Sequence, residues 1–162
     1  MFKYNEVVGN IFDYEDDYAL AHCISADLGL STGLAKKMQV RYNIRDWVQK
    51  VYGDLNFCGQ GYCILSNNGH IFNLIVQQQE YGPFTYEAAA SALREMLSIM
   101  QRANIKKIAM PKIGTGLAGL DWDIMHKIIF DIFGEAEVEI KVIYPIETRV
   151  LKIEETDIGC VF

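Results

Sequence analysis

Hydrophobic and polar positions change period several times along this chain of 162 residues. Tyr4 to Val8 reads as a short strand ending at Gly9-Asn10, and Asp13 to Asp17 as a solvated acidic turn. Tyr18 to Ile24 (YALAHCI) is a nearly uncharged run of the kind that buried strands show. Ser25 to Gly33 breaks it as a loop, and Leu34 to Tyr42 and Arg45 to Tyr52 follow with helical spacing. Gly61 to Leu65 and Ile71 to Val76 are apolar runs joined by Ser66-Asn67-Asn68-Gly69, a hairpin signal because Asn and Gly tolerate positive φ. Thr85 to Ala103 is the clearest helix, with Thr85 as its cap and Leu93, Met96, Leu97 and Met100 along an apolar stripe. Lys107 to Pro111 is a strand, Lys112 to Leu120 a loop, Asp121 to Phe133 a helix and Val138 to Tyr144 a final strand. Strands alternating with helices around one hairpin predict an α/β fold with a mixed sheet flanked by helices.

Composition narrows the class. At 51% hydrophobic and 22% charged residues the chain is ordinarily globular, which excludes disorder and coiled coil. The net charge of -6 comes without a basic stripe, since Lys36-Lys37 and Lys106-Lys107 are only pairs. General nucleic-acid binding is therefore not expected. An acidic balance leaves room for one small anion, because backbone N–H groups hold phosphate without Lys or Arg. Cys23, Cys58, Cys63 and Cys160 form no CxxC pair, and no metal site is expected. The first residues lack the apolar stretch of a signal peptide, so a reducing, cytoplasmic setting is expected. Leu55 to Gln79 carries no Asp, Glu, Lys or Arg, yet its many Asn and Gln make it costly to insert, and no membrane span is expected.

Two loops, each following a buried-looking strand and preceding a helix, concentrate the candidate chemistry. They are Ser25 to Ala35, with Gly29 and Gly33, and Pro111 to Leu120, with Gly114, Gly116 and Gly119. Ligands gather at the carboxyl ends of strands in open α/β sheets, and glycine lets backbone approach a ligand closely. Neither loop matches a Walker A or a GxGxxG fingerprint. Two readings stand side by side: a phosphate-cradling pair, and ordinary tight turns between strand and helix.

The residues Val8-Gly9-Asn10-Ile11-Phe12, Ala21-His22-Cys23-Ile24-Ser25, Gly33-Leu34-Ala35, Thr85-Tyr86-Glu87 and Met110 to Trp122 together resemble the macrodomain family. Within it they are most similar to the branch of terminal ADP-ribose protein glycohydrolases and ADP-ribose 1''-phosphate phosphatases. The resemblance implies a three-layer α/β/α macrodomain over residues 1–146, with a mixed sheet of about six strands. Residues 147–162 would be a C-terminal extension, an edge strand or a tail. It further implies ADP-ribose or a derivative as partner, no cofactor and a monomer. Gly9, Asn10 and Ile11 would meet the adenine. Ser25, Ser31, Thr32, Gly33 and Leu34 would flank the distal ribose, with Gln77 in hydrogen-bonding reach of it. Ile113, Gly114, Thr115, Gly116, Leu117, Ala118 and Gly119 would wrap the pyrophosphate. Where the deacylating glycohydrolases carry Lys and Asp, this chain has Gln77 and Ala118, which supply neither a titrating amine nor a carboxylate. Ser31 stands where the family usually has Gly.

Individual residues keep two readings. His22 is either a satisfied structural histidine or, near the distal ribose, a nucleophile or acid on a terminal phosphate. Asp121 is either the N-cap of the following helix or a polar group facing the ligand, and it joins His22 as a catalytic candidate. Tyr81 and Phe84 either close over the ligand or belong to a satellite core, and Cys23 is read as core. The leading expectation is hydrolysis of a group on the terminal ribose, with removal of the 1''-phosphate preferred. The alternative is a non-catalytic reader or sequestering protein for ADP-ribose or a related nucleotide. Deacylation as an ADP-ribosyl ester hydrolase ranks third.

Overall fold

In the computed structural model, which describes residues 1–116 and 118–145, six strands and four helices follow one another in the expected order. They are β1 (Lys3–Val8), β2 (Ala19–Ser25), α1 (Gly33–Tyr42), α2 (Ile44–Tyr52), β3 (Tyr62–Ser66), β4 (Ile71–Gln77), α3 (Tyr86–Ala103), β5 (Lys107–Met110), α4 (Trp122–Phe133) and β6 (Glu139–Tyr144). The expected extension at 147–162 lies outside the described residues, as does Leu117.

Local chemistry explains the boundaries. Thr85 caps α3 by accepting from the Ala88 N–H, and Asn104 ends it in the left-handed conformation. Asp121 caps α4, its carboxylate accepting from the Asp123 N–H at 2.8 Å. The β3–β4 connection carries Asn67, Asn68 and Gly69 at φ of 53°, 57° and 89°, the conformations its sequence predicts.

The strand order is β1-β6-β5-β2-β4-β3. All neighbours are parallel except β3 and β4, so the sheet is mixed as expected. Alternate residues on each strand feed two cores. Ala21, Phe72, Leu74, Ile108 and Val142 pack with Leu93, Met96, Met125 and Ile129 of α3 and α4. Leu20, Ile24, Ile71, Ile75 and Ile143 pack on the other face with Met38, Ile44 and Val48 of α1 and α2. The result is helix, sheet, helix: the three-layer architecture.

Candidate functional site

Chain direction creates the site. From β2 the chain passes through α1 and α2 to β3 and β4 on one side, and from β5 it passes through α4 to β6 on the other. Such a reversal leaves a crevice beyond the carboxyl ends of the two central strands. Here the strands also separate early. β2 and β5 pair only at Ala19–Ile108 and Leu20–Ala109, after which β5 ends at Met110 and Pro111 has no N–H to continue the ladder. A cleft of about 1080 Å³ opens there, walled by the end of β2, the β2–α1 loop, the β4–α3 loop, the β5–α4 loop and the end of β6.

The β2–α1 wall is held in an unusual backbone conformation. Leu28 and Leu30 have φ of 54° and 48°, in the left-handed region, while both side chains are buried in the α1/α2 core. Such a conformation costs about 1–2 kcal/mol per non-glycine residue, and the surroundings hold it. Arg45 of α2 donates to Leu28 O at 2.9 Å and Gly29 O at 2.6 Å. Asp27 accepts from the Ser25 hydroxyl at 2.5 Å and the Gly29 N–H at 3.1 Å. From across the cleft, Glu80 accepts from both the hydroxyl and the N–H of Ser31.

The β5–α4 wall is the glycine loop. Gly114 and Gly119 have φ of 78° and 70°, and open space lies where Gly116 would carry a Cβ. The Leu120 N–H closes the loop on Gly114 O at 2.8 Å, and the Thr115 hydroxyl donates to Lys112 O at 2.7 Å. Lys112 is the one Lys or Arg lining the cleft among the described residues, and its Nζ sits 4.1 Å from the Tyr144 ring centroid. It also lies 4.0 Å from a Glu6 oxygen.

His22 lines the cleft and is 1% exposed. It points to the α1/α2 side of the sheet, directly opposite Asn73 on β4. Asn73 Nδ2 donates to Ser66 Oγ at 2.8 Å and to Ile64 O at 3.3 Å, so its Oδ1 accepts from His22 Nε2–H at 2.7 Å. That network assigns the tautomer and leaves Nδ1 with its lone pair, buried and without a partner. Burial lowers the imidazole to about 4, the Asn73 contact opposing it, so the ring is neutral at pH 7. Burial likewise pushes the neighbouring Cys23 thiol up to about 12, which keeps it protonated and unreactive.

With this geometry in place, comparison with known proteins places the chain. The Macro domain family profile matches residues 66–129. The human ADP-ribose glycohydrolase OARD1 is 26% identical over 136 residues, covering 84% of this chain and 88% of that protein. The macrodomain of Thermus aquaticus DarG superposes with a TM-score of 0.72 at 19% identity, covering 90% of this chain and 100% of that one. Thermosipho africanus DarTG, solved in complex with ADP-ribose, superposes with a TM-score of 0.65 at 21% identity, covering 88% of this chain and 42% of that one. The chain has the macrodomain fold.

Within this fold, His22, Ser25, Thr32, Gly33, Leu34, Gln77, Ile113, Gly114, Thr115, Gly116 and Ala118 line the cleft together. Ser31 is on the rim, bound by Glu80. Thr32 precedes α1 without capping it through its side chain. Gly9 does not line the cleft; its N–H donates at 2.9 Å to the carbonyl of Tyr144, which does. Asn10 caps the short turn that follows β1 by accepting from the Phe12 N–H at 3.0 Å, and Ile11 is buried in the α1/α2 core. Gly119 is exposed within the glycine loop but does not line the cleft, and Asp121 is occupied as the cap of α4, its own N–H donating to Tyr86 Oη at 2.9 Å. Gln77 spends its amide on Gly82 O at 2.9 Å, shaping the β4–α3 loop from within.

Sequence reasoning singled out neither Glu80, between its candidates Gln77 and Tyr81, nor Lys112, inside the Pro111 to Leu120 loop, and missed Tyr144 as a wall residue and Asn73 as the partner of His22. Asn73 carried one signal: an uncharged polar residue in the centre of the otherwise apolar run IFNLIV, where burial demands a hydrogen-bond partner.

Proposed function

We propose that this macrodomain binds ADP-ribose or an ADP-ribose derivative in the cleft between β2 and β5 and hydrolyses a group on its terminal ribose, with the 1''-phosphate preferred. The observation that carries the binding reading is the cleft itself. Two glycine-bearing loops face each other at the point where the strand order reverses, on a fold shared with a DarTG solved with ADP-ribose. Kinship to OARD1 supports the hydrolytic reading. The absence of Lys and Asp at Gln77 and Ala118 turns it away from deacylation and toward phosphate removal. The binding unit is residues 1–146, acting as a cytoplasmic monomer without nucleic acid or added cofactor.

In this reading His22 supplies chemistry only as a base or nucleophile through the bare Nδ1 lone pair. A ring that is protonated only near pH 4 cannot donate a proton at neutral pH. The net reaction adds one water, whose hydrogen ends on the C1'' oxygen and whose hydroxyl ends on the released phosphate. One specific observation favours the second reading, a non-catalytic reader: Nδ1 is shut away from solvent, and the nearby thiol is held protonated.

Calorimetry with ADP-ribose tests the shared premise, and no heat at millimolar ligand would overturn both readings. Phosphate release from ADP-ribose 1''-phosphate separates them. The hydrolytic reading expects release by the wild-type protein and a loss of at least about a hundredfold in His22→Ala. Inertness of a wild-type protein that binds ADP-ribose establishes the reader.

A further inference from the structure

Two walls of the cleft meet through one carboxylate. Glu80, in the loop after β4, accepts from the Ser31 hydroxyl at 3.0 and 2.8 Å to its two oxygens and from the Ser31 N–H at 3.3 Å. It is the one Asp or Glu among the described residues that line the cleft. The clasp depends on an absent side chain, since a Cβ on Gly29 would stand 1.6 Å from Glu80 Oε1 and 2.4 Å from its carboxyl carbon. The carboxylate therefore rests in a notch made by Gly29, against two donors from Ser31.

Those donors have no intrinsic preference for carboxylate. A hydroxyl and an N–H donate to any oxyanion, and charge-assisted bonds to phosphate oxygens form with the same geometry. Two anions cannot share them, because each would meet the other at contact distance. A neutral sugar hydroxyl faces no such conflict, since it can donate to Glu80 where Glu80 now stands.

We propose that Ser31 is the seat of an anionic group on the ligand's terminal ribose and that Glu80 is its built-in competitor, so the pair ranks phosphorylated against unphosphorylated ligands. The inference rests on the ADP-ribose reading above and deepens it by naming the groups that decide the terminal substituent. An arriving phosphate must lift Glu80 away, and Glu80 returns to Ser31 when the anion leaves.

Two variants separate charge from position. Glu80→Gln removes the charge and keeps the shape. Gly29→Ala keeps the charge but places a methyl group where the carboxylate rests; the backbone there is outside the left-handed region, and the displaced atoms are the far end of a flexible side chain. The probes are ADP-ribose and ADP-ribose bearing a non-hydrolysable methylenephosphonate at C1'', measured by calorimetry on each folded protein. The expected result is a gain of about tenfold for the phosphonate in Glu80→Gln. Gly29→Ala should raise the phosphonate's affinity relative to ADP-ribose in the same direction, the ratio of the two ligands being the readout in both variants. An unchanged ratio in both variants, with ADP-ribose still bound, overturns the competitor role and leaves the ADP-ribose reading standing. An equal gain for both ligands overturns it too, since that is general repulsion of a nucleotide rather than competition at one seat. If Gly29→Ala fails to fold, Glu80→Gln decides alone. Failure of the wild-type protein to bind ADP-ribose overturns both readings together.

Discussion

His22 and Asn73 face each other across two buried strands, and the pairing gives the imidazole a tautomer, a partner and a cost. The histidine ionises at about 4 in the folded chain against 6.5 when exposed. Between those values the unfolded chain binds the extra proton, so the group's full contribution is present above pH 6.5 and is lost as pH falls toward 4. The shift corresponds to about 3 kcal/mol. Urea unfolding followed from about pH 7 to about pH 4 should show a decline of this order, flattened in His22→Gln. An equally steep decline in that variant would mean other groups cause it. Glu15, held at about 2 by hydrogen bonds from Arg41 and Tyr42, loses its contribution only below 4.5, so its effect falls in a separate, lower window. His22 was legible in the sequence as a histidine on a buried strand with two fates. Its partner was not, because register between β2 and β4 is set by tertiary packing and leaves no local trace.

Elements with their own punctuation were legible nearly to the residue: the Asn-Asn-Gly turn, the Thr85 cap and the apolar stripe of α3. What stayed hidden were conformations that other elements impose. Leu28, Leu30 and Tyr81 take positive φ at 54°, 48° and 65°, which no propensity of Leu or Tyr suggests. Gly61, just before β3, is another such case. A Cβ there would stand 1.9 Å from the Ala88 carbonyl oxygen, so β3 and α3 approach each other only because that position has no side chain. The obstacle is backbone on a capped helix and cannot rotate aside. Gly61→Ala should therefore cost at least about 2 kcal/mol, read as a lowered urea midpoint with an unchanged slope. A loss under about 0.5 kcal/mol would show that the two elements separate freely. Gly33, with nothing within 4 Å of its absent Cβ, carries no such steric conflict and supplies a control, though its φ of 57° disfavours a side chain.

At the scale of the whole molecule, a net charge of -6 does not oppose the proposed ADP-ribose binding, because backbone N–H groups hold phosphate without Lys or Arg. Of 15 Lys and Arg residues, Lys112 alone lines the cleft among the described residues, and its ammonium is already engaged by the Tyr144 ring and Glu6. ADP-ribose affinity should therefore change by less than about threefold between about 30 and about 300 mM salt, as calorimetry at both would record. A tenfold loss would mean that Lys112 leaves its ring to hold a phosphate. The site as a place was visible in the sequence, since both glycine loops were identified and both wall the cleft. The wall after β4 was legible through Gln77, Tyr81 and Phe84, but the Glu80 contact was not, because it exists only when β4 lies beside β2 and carries Glu80 over Ser31.

Arg45 carries a consequence for anyone who would transplant the β2–α1 loop. Its guanidinium lies outside residues 25–33 yet holds the two carbonyls at the loop's turning point. Grafted alone onto another scaffold, the segment would lose that hold, and its leucines would relax to the right-handed side with their anchors unburied. The portable module is the loop together with α1 and α2, a contiguous cassette running from the end of β2 to Gly53.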